Sequence, residues 1–309
     1  MTFNSAKRDT LKWFMAIGVS AHFLPVTVWA NDVKTRSTNS QIRLEDLFAI
    51  GMGTWITFNV GQDLALRNQR TEVLRRFFQR GGQMIDSSPM YGSSEQVLGY
   101  ALSRLGNLAR PFVTTKTWTR SANEARNQFE DSIQYWGNPH IDLLQIHNLL
   151  AWQRHLPFLR ELKQQGLIRY IGITTSHGRR HEELLKIMAQ ETIDVIQLTY
   201  NIGDREVEKY ILPLAQDKGI KVIANRPLQG GRLMKQFQHQ SLPEWAKELG
   251  CDNWAHYFLR FIISHPAIQF AIPATSKVEH MEENMTSVNQ APLPDSKQRQ
   301  AMIRYLESL

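Results

Sequence analysis

Residues able to carry or hold a proton stand at the ends of successive short apolar runs in the first half of this chain. One run ends in Ile85-Asp86-Ser87-Ser88-Pro89-Met90-Tyr91, the next in Val113-Thr114-Thr115-Lys116, and the third in Leu144-Gln145-Ile146-His147. Lys116 and His147 close runs that should be buried, where an unpaired cation is costly. Asp86, on the preceding run, is the natural counter-charge for Lys116, and Tyr91 follows it by five residues. A free tyrosine titrates at about 10 and is a poor acid near neutrality. A nearby lysine cation favours the phenolate and lowers that value. Asp86 would hold the lysine in place, and His147 would fix a substrate oxygen between its ring and the tyrosine hydroxyl. Together they form an oxyanion site with a proton donor, chemistry suited to converting a carbonyl to an alcohol.

Taken singly, each residue has an ordinary structural use. A strand-end Asp caps a helix or turn, and a strand-end Lys reaches solvent. A lone His on an apolar run is a hydrogen-bonded core residue, and a loop Tyr is packing. Those uses leave unexplained why all four fall at neighbouring run ends.

The elements that position them repeat along the chain. Strand-like segments are predicted at 47–55, 83–87, 112–117, 141–147, 168–174, 193–200, 221–225 and 268–273, short and rich in Ile, Val, Phe and Thr. Amphipathic segments such as Glu72-Val73-Leu74-Arg75-Arg76-Phe77-Phe78 lie between them, and several stop at Gly81-Gly82, Gly106, Gly166 or Gly219. Strand-helix alternation implies parallel strands with crossover helices, and eight units suit a closed (β/α)8 TIM barrel of the α/β class. No Gly-x-Gly-x-x-Gly opens the first helix, which weighs against an open dinucleotide-binding sheet. Barrel chemistry sits at the C-terminal strand ends, where the four residues fall.

The composition narrows the classes. With 309 residues, 42% hydrophobic and 21% charged, the chain is neither a disordered segment nor a small stapled module. A single cysteine, Cys251, excludes an internal disulfide and Cys-rich zinc sites, and no metal is expected. The net charge of +7 lacks a recognised nucleic-acid motif or a clustered basic stripe, so no nucleic-acid partner is expected.

The segment from Asp86 through Tyr91-Gly92-Ser93-Ser94-Glu95 to Leu98-Gly99 resembles the second-strand signature of the aldo/keto reductase family. Thr115-Lys116 and Leu144-Gln145-Ile146-His147 resemble its next two motifs, and Gly51-Met52-Gly53-Thr54-Trp55 its opening strand. The resemblance runs from about Ile42 to the C-terminus. It implies an NAD(P)H-dependent, metal-free reductase of aldehydes, ketones or dicarbonyls. Tyr91 would be the general acid, Lys116 the group that lowers its pKa, Asp86 the partner of Lys116, and His147 the residue that orients the carbonyl. Some family members are instead redox-sensing, cofactor-binding subunits with little turnover, and that alternative stands beside the enzyme.

The same resemblance assigns the cofactor wall. Thr54 and Trp55 belong to the opening strand, while Thr174 and Thr175 stand where relatives carry a Ser-Asn pair that binds the carboxamide, completed by Gln197. Ala224-Asn225-Arg226-Pro227 stands where relatives carry a tyrosine that stacks on the nicotinamide, a departure that removes the stacking ring. Leu228 and Gly230 fit a backbone clamp near the phosphates. Thr275, Ser276 and Lys277 would hold a 2′-phosphate, and Glu283 and Asn284 the adenine, which implies NADPH, with NADH possible. Trp55, Trp118 and Trp152 are candidates to line an open, shallow substrate site, because the chain ends soon after its last helical segment.

The first 30 residues read as an address. Lys7, Arg8 and Lys12 precede an apolar run from Trp13 to Ala30, as in an export signal, and Lys7-Arg8-Asp9-Thr10-Leu11 resembles a twin-arginine motif. The chain thus divides into a signal at 1–30, a substrate of the export machinery, and one catalytic domain at 31–309. A periplasmic or otherwise exported location follows, with an uncleaved membrane anchor as the alternative. The run, interrupted by His22 and Pro25, is too weakly apolar for a stable span.

Overall fold

A computed structural model describes residues 42–109, 111–288 and 291–309. Residues 1–30, read from the sequence as an export signal, and the first residues of the domain read as 31–309 lie outside the described residues.

Eight parallel strands form one sheet in sequence order: β1 (Met52–Gly53), β2 (Met84–Asp86), β3 (Phe112–Thr117), β4 (Ile141–Ile146), β5 (Ile168–Thr174), β6 (Val195–Thr199), β7 (Lys221–Asn225) and β8 (Phe270–Ala271). The sheet closes on itself. Ile50 pairs with Ala271 and Gly53 with Ala274, and Gly53 donates its N–H to the Pro273 carbonyl at 3.0 Å. Glycine is required at that seam, because a Cβ on Gly53 would lie 2.7 Å from the Ile272 carbonyl oxygen. The architecture is the (β/α)8 barrel anticipated from the alternation. Strands β3, β5 and β7 match their predicted limits, whereas β1 and β8 are shorter, because at the seam pairing survives only as isolated bridges.

The outer helices are α1 (Leu64–Gln79), α2 (Ser94–Leu105), α3 (Ala122–Trp136), α4 (Trp152–Gln164), α5 (His181–Gln190), α6 (Ile211–Asp217), α7 (Arg232–Phe237), α8 (Trp254–Ile263), α9 (Val278–Thr286) and α10 (Ser296–Glu307). Local chemistry sets their ends. Asp63 caps α1 through the Leu66 N–H, Ser121 caps α3 through the Glu124 N–H, and Asp295 and Gln298 form a capping box on α10. No helix among the described residues is long and apolar enough to cross a membrane.

The barrel interior changes character along its axis. Its floor is apolar: Leu44 and Leu47, from the segment that precedes β1, pack with Met84, Phe112, Leu143, Val195, Ile223 and Phe270. Two residues further along β2 to β6, on the same inward face, stand Asp86, Thr114, Gln145, Gly172 and Gln197. Another two bring Ser88, Lys116, His147, Thr174 and Thr199. The interior therefore turns polar toward the C-terminal strand ends.

Candidate active site

Asp86 is the hub of the polar layer. Its Oδ2 accepts a hydrogen bond from Lys116 Nζ at 2.6 Å. Its Oδ1 accepts from Thr114 Oγ1 at 2.6 Å, Gln197 Nε2 at 2.9 Å and Gln145 Nε2 at 3.1 Å. Three strands thus send donors to one carboxylate on a fourth. Gln145 reaches it because β5 carries Gly172, where a Cβ would come within 2.7 Å of Gln145 Cγ. Lys116 Nζ also donates to the Ser87 carbonyl at 2.7 Å. Both side chains of the ion pair are shut off from solvent, with exposures of 0% and 2%. Burial pushes the Lys116 ammonium down, but Asp86 and Tyr91 together more than reverse this and hold it above its ordinary value.

Tyr91 is carried above this pair by the 3₁₀ turn Pro89–Tyr91. Its ring centroid lies 5.1 Å from Lys116 Nζ, and the His147 ring stands nearly perpendicular to it at 5.9 Å. The sequence anticipates a tyrosine pulled down by lysine. In the assembled site burial pushes the Tyr91 hydroxyl up, Lys116 only partly offsets that, and the net direction is upward. The phenol therefore keeps its proton through neutral pH. Burial, then the Lys116 charge, depresses His147 to about 3, so its ring is neutral and has one N–H to give. Behind the site, Glu95 accepts from Thr115 Oγ1 at 2.6 Å, Trp136 Nε1 at 2.9 Å and Ser132 Oγ at 3.0 Å, which ties β3 to α2 and α3.

A cavity of about 740 Å³ opens over Tyr91 and His147. It runs along the ends of β5 to β8 and is lined by Thr54, Trp55, Thr174, Thr175, Gln197, Leu228, Gly230, Thr275, Glu283 and Asn284, all anticipated from the sequence. Ser276 and Lys277 are not on its wall. They follow Thr275 at the start of α9, where the Lys277 N–H donates to Thr275 Oγ1 and the Lys277 side chain is exposed. Trp118 and Trp152 are also off the wall. Trp118 is 43% exposed and Trp152 Nε1 donates to Glu183, so of the three tryptophans only Trp55 faces the cavity.

Several wall groups are already engaged. Thr54 Oγ1 donates to the Asp86 carbonyl and is hydrogen-bonded with the Ser87 hydroxyl, and Thr174 Oγ1 accepts the Asn148 N–H. Gln197 spends its Nε2 on Asp86, which leaves its carbonyl oxygen for a ligand. Asn225 is held on both sides, accepting from Thr199 Oγ1 at 2.8 Å and donating to the Thr175 carbonyl at 2.9 Å. Thr175 Oγ1 is different, being buried with no partner. A cradle with an unclaimed hydroxyl beside Gln197, and Gly230 and Gly231 with open space where side chains would stand, fits an elongated ligand with amide and phosphate groups.

Backbone strain gathers at the same end. Among the described residues, the non-glycine positions with positive φ are Ile56, Asn148, Leu149, Ala151, His177, Arg180, Arg226 and Gln229, and each lies on a strand-to-helix loop at the C-terminal face. Arg226 reaches toward Trp55 across the mouth, its guanidinium carbon 5.9 Å from the indole centroid.

The model of the Aldo/keto reductase family matches residues 49–302. The chain belongs to that family. Among curated aldo/keto reductase relatives, it is 28% identical to Methylglyoxal reductase YeaE of Escherichia coli over 243 residues, covering 76% of this chain and 84% of that one. It is 29% identical to the NADH-specific methylglyoxal reductase of Escherichia coli, covering 65% and 70%. The fold matches an aldo/keto reductase from Klebsiella pneumoniae solved with NADP and acetate, at a TM-score of 0.71 and 24% identity, covering 84% and 91% of the two chains.

Sequence reasoning on this aldo/keto reductase missed Ser88, Thr114 and Gln145. Strand alternation held the signal: Thr114 lies two residues before Lys116 and Gln145 two before His147, on the same inward face. No comparable signal marks Asn148, which ties the loop after β4 to Thr174 and Ser176.

Proposed function

We propose that this protein reduces the carbonyl of a small aldehyde, ketone or dicarbonyl to an alcohol with NADPH, NADH being the second candidate. The observation that carries the reading is the grouping of Tyr91, His147 and the buried Lys116–Asp86 pair beneath one elongated cavity. The cofactor supplies hydride when bound. Thr175 Oγ1 and the Gln197 oxygen are placed to hold an amide, Leu228 and Gly230 to hold phosphates, and Thr275, Glu283 and Asn284 to hold the far end of a dinucleotide. Relatives named as methylglyoxal reductases and structural neighbours holding NADP or NADPH support the assignment.

The chain's own residues account for the proton. As negative charge develops on the substrate oxygen, the Tyr91 hydroxyl gives up its proton to it. The Lys116 cation then stabilises the phenolate left behind, and Asp86 keeps that cation in position. His147, neutral and half-framed by Tyr91, donates a hydrogen bond to the same oxygen and fixes the face presented to hydride. A cofactor-binding subunit with little turnover has no use for a proton donor set beside an orienting imidazole, so turnover is favoured over that alternative.

Cofactor consumption with a panel of aldehydes, ketones and dicarbonyls tests this. Tyr91→Phe is expected to lower kcat about 10²- to 10⁴-fold while still binding NADPH. The wild-type rate should show no inflection near 6.5, because His147 stays neutral down to about 3. Equal rates for wild type and Tyr91→Phe would refute the mechanism.

A further inference from the structure

Ser88 sits at the centre of the site, and the chemistry above gives it no task. It has no exposed surface. Among the described residues its Oγ has two neighbours in hydrogen-bond range: the Met90 N–H, which it accepts at 3.3 Å, and Nδ1 of His147 at 3.1 Å. A serine hydroxyl carries one proton and two lone pairs. Met90 takes a lone pair. The proton needs an acceptor, because a buried donor without one is costly, and His147 Nδ1 is the acceptor in reach.

We propose that Ser88 donates its hydroxyl proton to Nδ1 of His147 and thereby fixes the imidazole as the Nε2–H tautomer, the form able to donate to a substrate oxygen. A neutral imidazole carries one ring proton, so accepting at Nδ1 places that proton on Nε2. Nε2 makes no hydrogen bond to any described residue, and His147 lines the cavity. The opposite tautomer strands the serine hydrogen in a buried site and turns a bare nitrogen lone pair toward the oxygen lone pairs of a substrate. Ser88 also anchors the other half of the pair. Its side chain caps the Pro89–Tyr91 turn and its carbonyl accepts the Tyr91 N–H at 2.9 Å. One residue thus sets the orientation of both groups that meet the substrate oxygen. It is fully buried and off the cavity wall, so it acts through His147 and Tyr91 as a positioning residue.

The consequence for rate rests on the carbonyl-reductase reading, but the tautomer rests on the geometry alone. Long-range ¹H–¹⁵N NMR of the full chain labelled with ¹⁵N-histidine reads the tautomer directly, with His147→Asn identifying the signal. The wild type is expected to show a pyridine-like Nδ1 and a protonated Nε2. Ser88→Ala should lose that single state and lower kcat about tenfold with KM little changed, while Ser88→Thr restores both. A protonated Nδ1 in the wild type overturns the proposal, and so does an unchanged tautomer in Ser88→Ala. If Ser88→Ala fails to fold, the wild-type and Ser88→Thr spectra still decide. If no carbonyl is turned over, the spectra test Ser88 independently, which separates the two failures.

Discussion

The two sides of the barrel mouth are built on opposite principles. On the β2–β4 side Asp86 accepts four hydrogen bonds, Lys116 is paired, and the charges are enclosed. On the β5–β8 side Thr175 Oγ1 is buried and unpartnered, Gly230 and Gly231 leave open space, and Arg226 and Gln229 sit at positive φ. The difference follows from what each side holds. A charge in a low-dielectric interior has to be matched within the fold itself, or the chain will not fold around it. A hydroxyl or backbone group facing a ligand can wait for that ligand. The charges of the first side are matched before anything binds, with Gln145 Oε1 the one polar atom around Asp86 left buried without a partner among the described residues, whereas the second side is left open for its ligand.

The largest test of this contrast is Lys116→Met. It leaves the Asp86 carboxylate buried without its cation and should cost about 3–5 kcal/mol of stability, lowering Tm by roughly 10 °C in a thermal melt. A melt unchanged from wild type would show that Asp86 does not depend on its partner. Next in size is Thr175→Val, which removes an unmatched hydroxyl at nearly constant volume. Stability should be unchanged or slightly higher, whereas NADPH affinity in a fluorescence titration should fall about tenfold. Loss of stability with unchanged affinity would reverse the contrast. The smallest effect belongs to Lys277→Ala, on an exposed side chain just off the cavity wall. The preference for NADPH over NADH should drop about fivefold. An unchanged ratio would remove Lys277 from the phosphate site.

One departure from a motif proved as informative as the matches. Asn225, in place of a stacking tyrosine, is no gap in the wall: its amide links β5, β6 and β7 through Thr175 and Thr199. Sequence could name the substitution but not its bonds, since both partners come from strands far away in the chain. Gln197 tells the same story. Its identity and strand end were legible, but its Nε2 is turned to Asp86, 111 residues away. The three tryptophans were indistinguishable in sequence, because exposure at a strand end depends on loop paths that local chemistry does not encode. Ser276 and Lys277 were read from their order after Thr275, and the turn that opens α9 carries them off the wall.

The sequence by itself determined the repeating strand and helix units, the barrel, the family, and the four residues at the mouth. Periodicity, helix caps and motif order are local properties, and a closed eight-unit barrel fixes where strand ends must go. Only the tertiary structure decided how those residues share their protons. It made Asp86 the meeting point of four strands, held Tyr91 protonated where lysine alone would have lowered it, and set Ser88 against His147. Those outcomes depend on burial and on distances between groups that lie far apart along the chain.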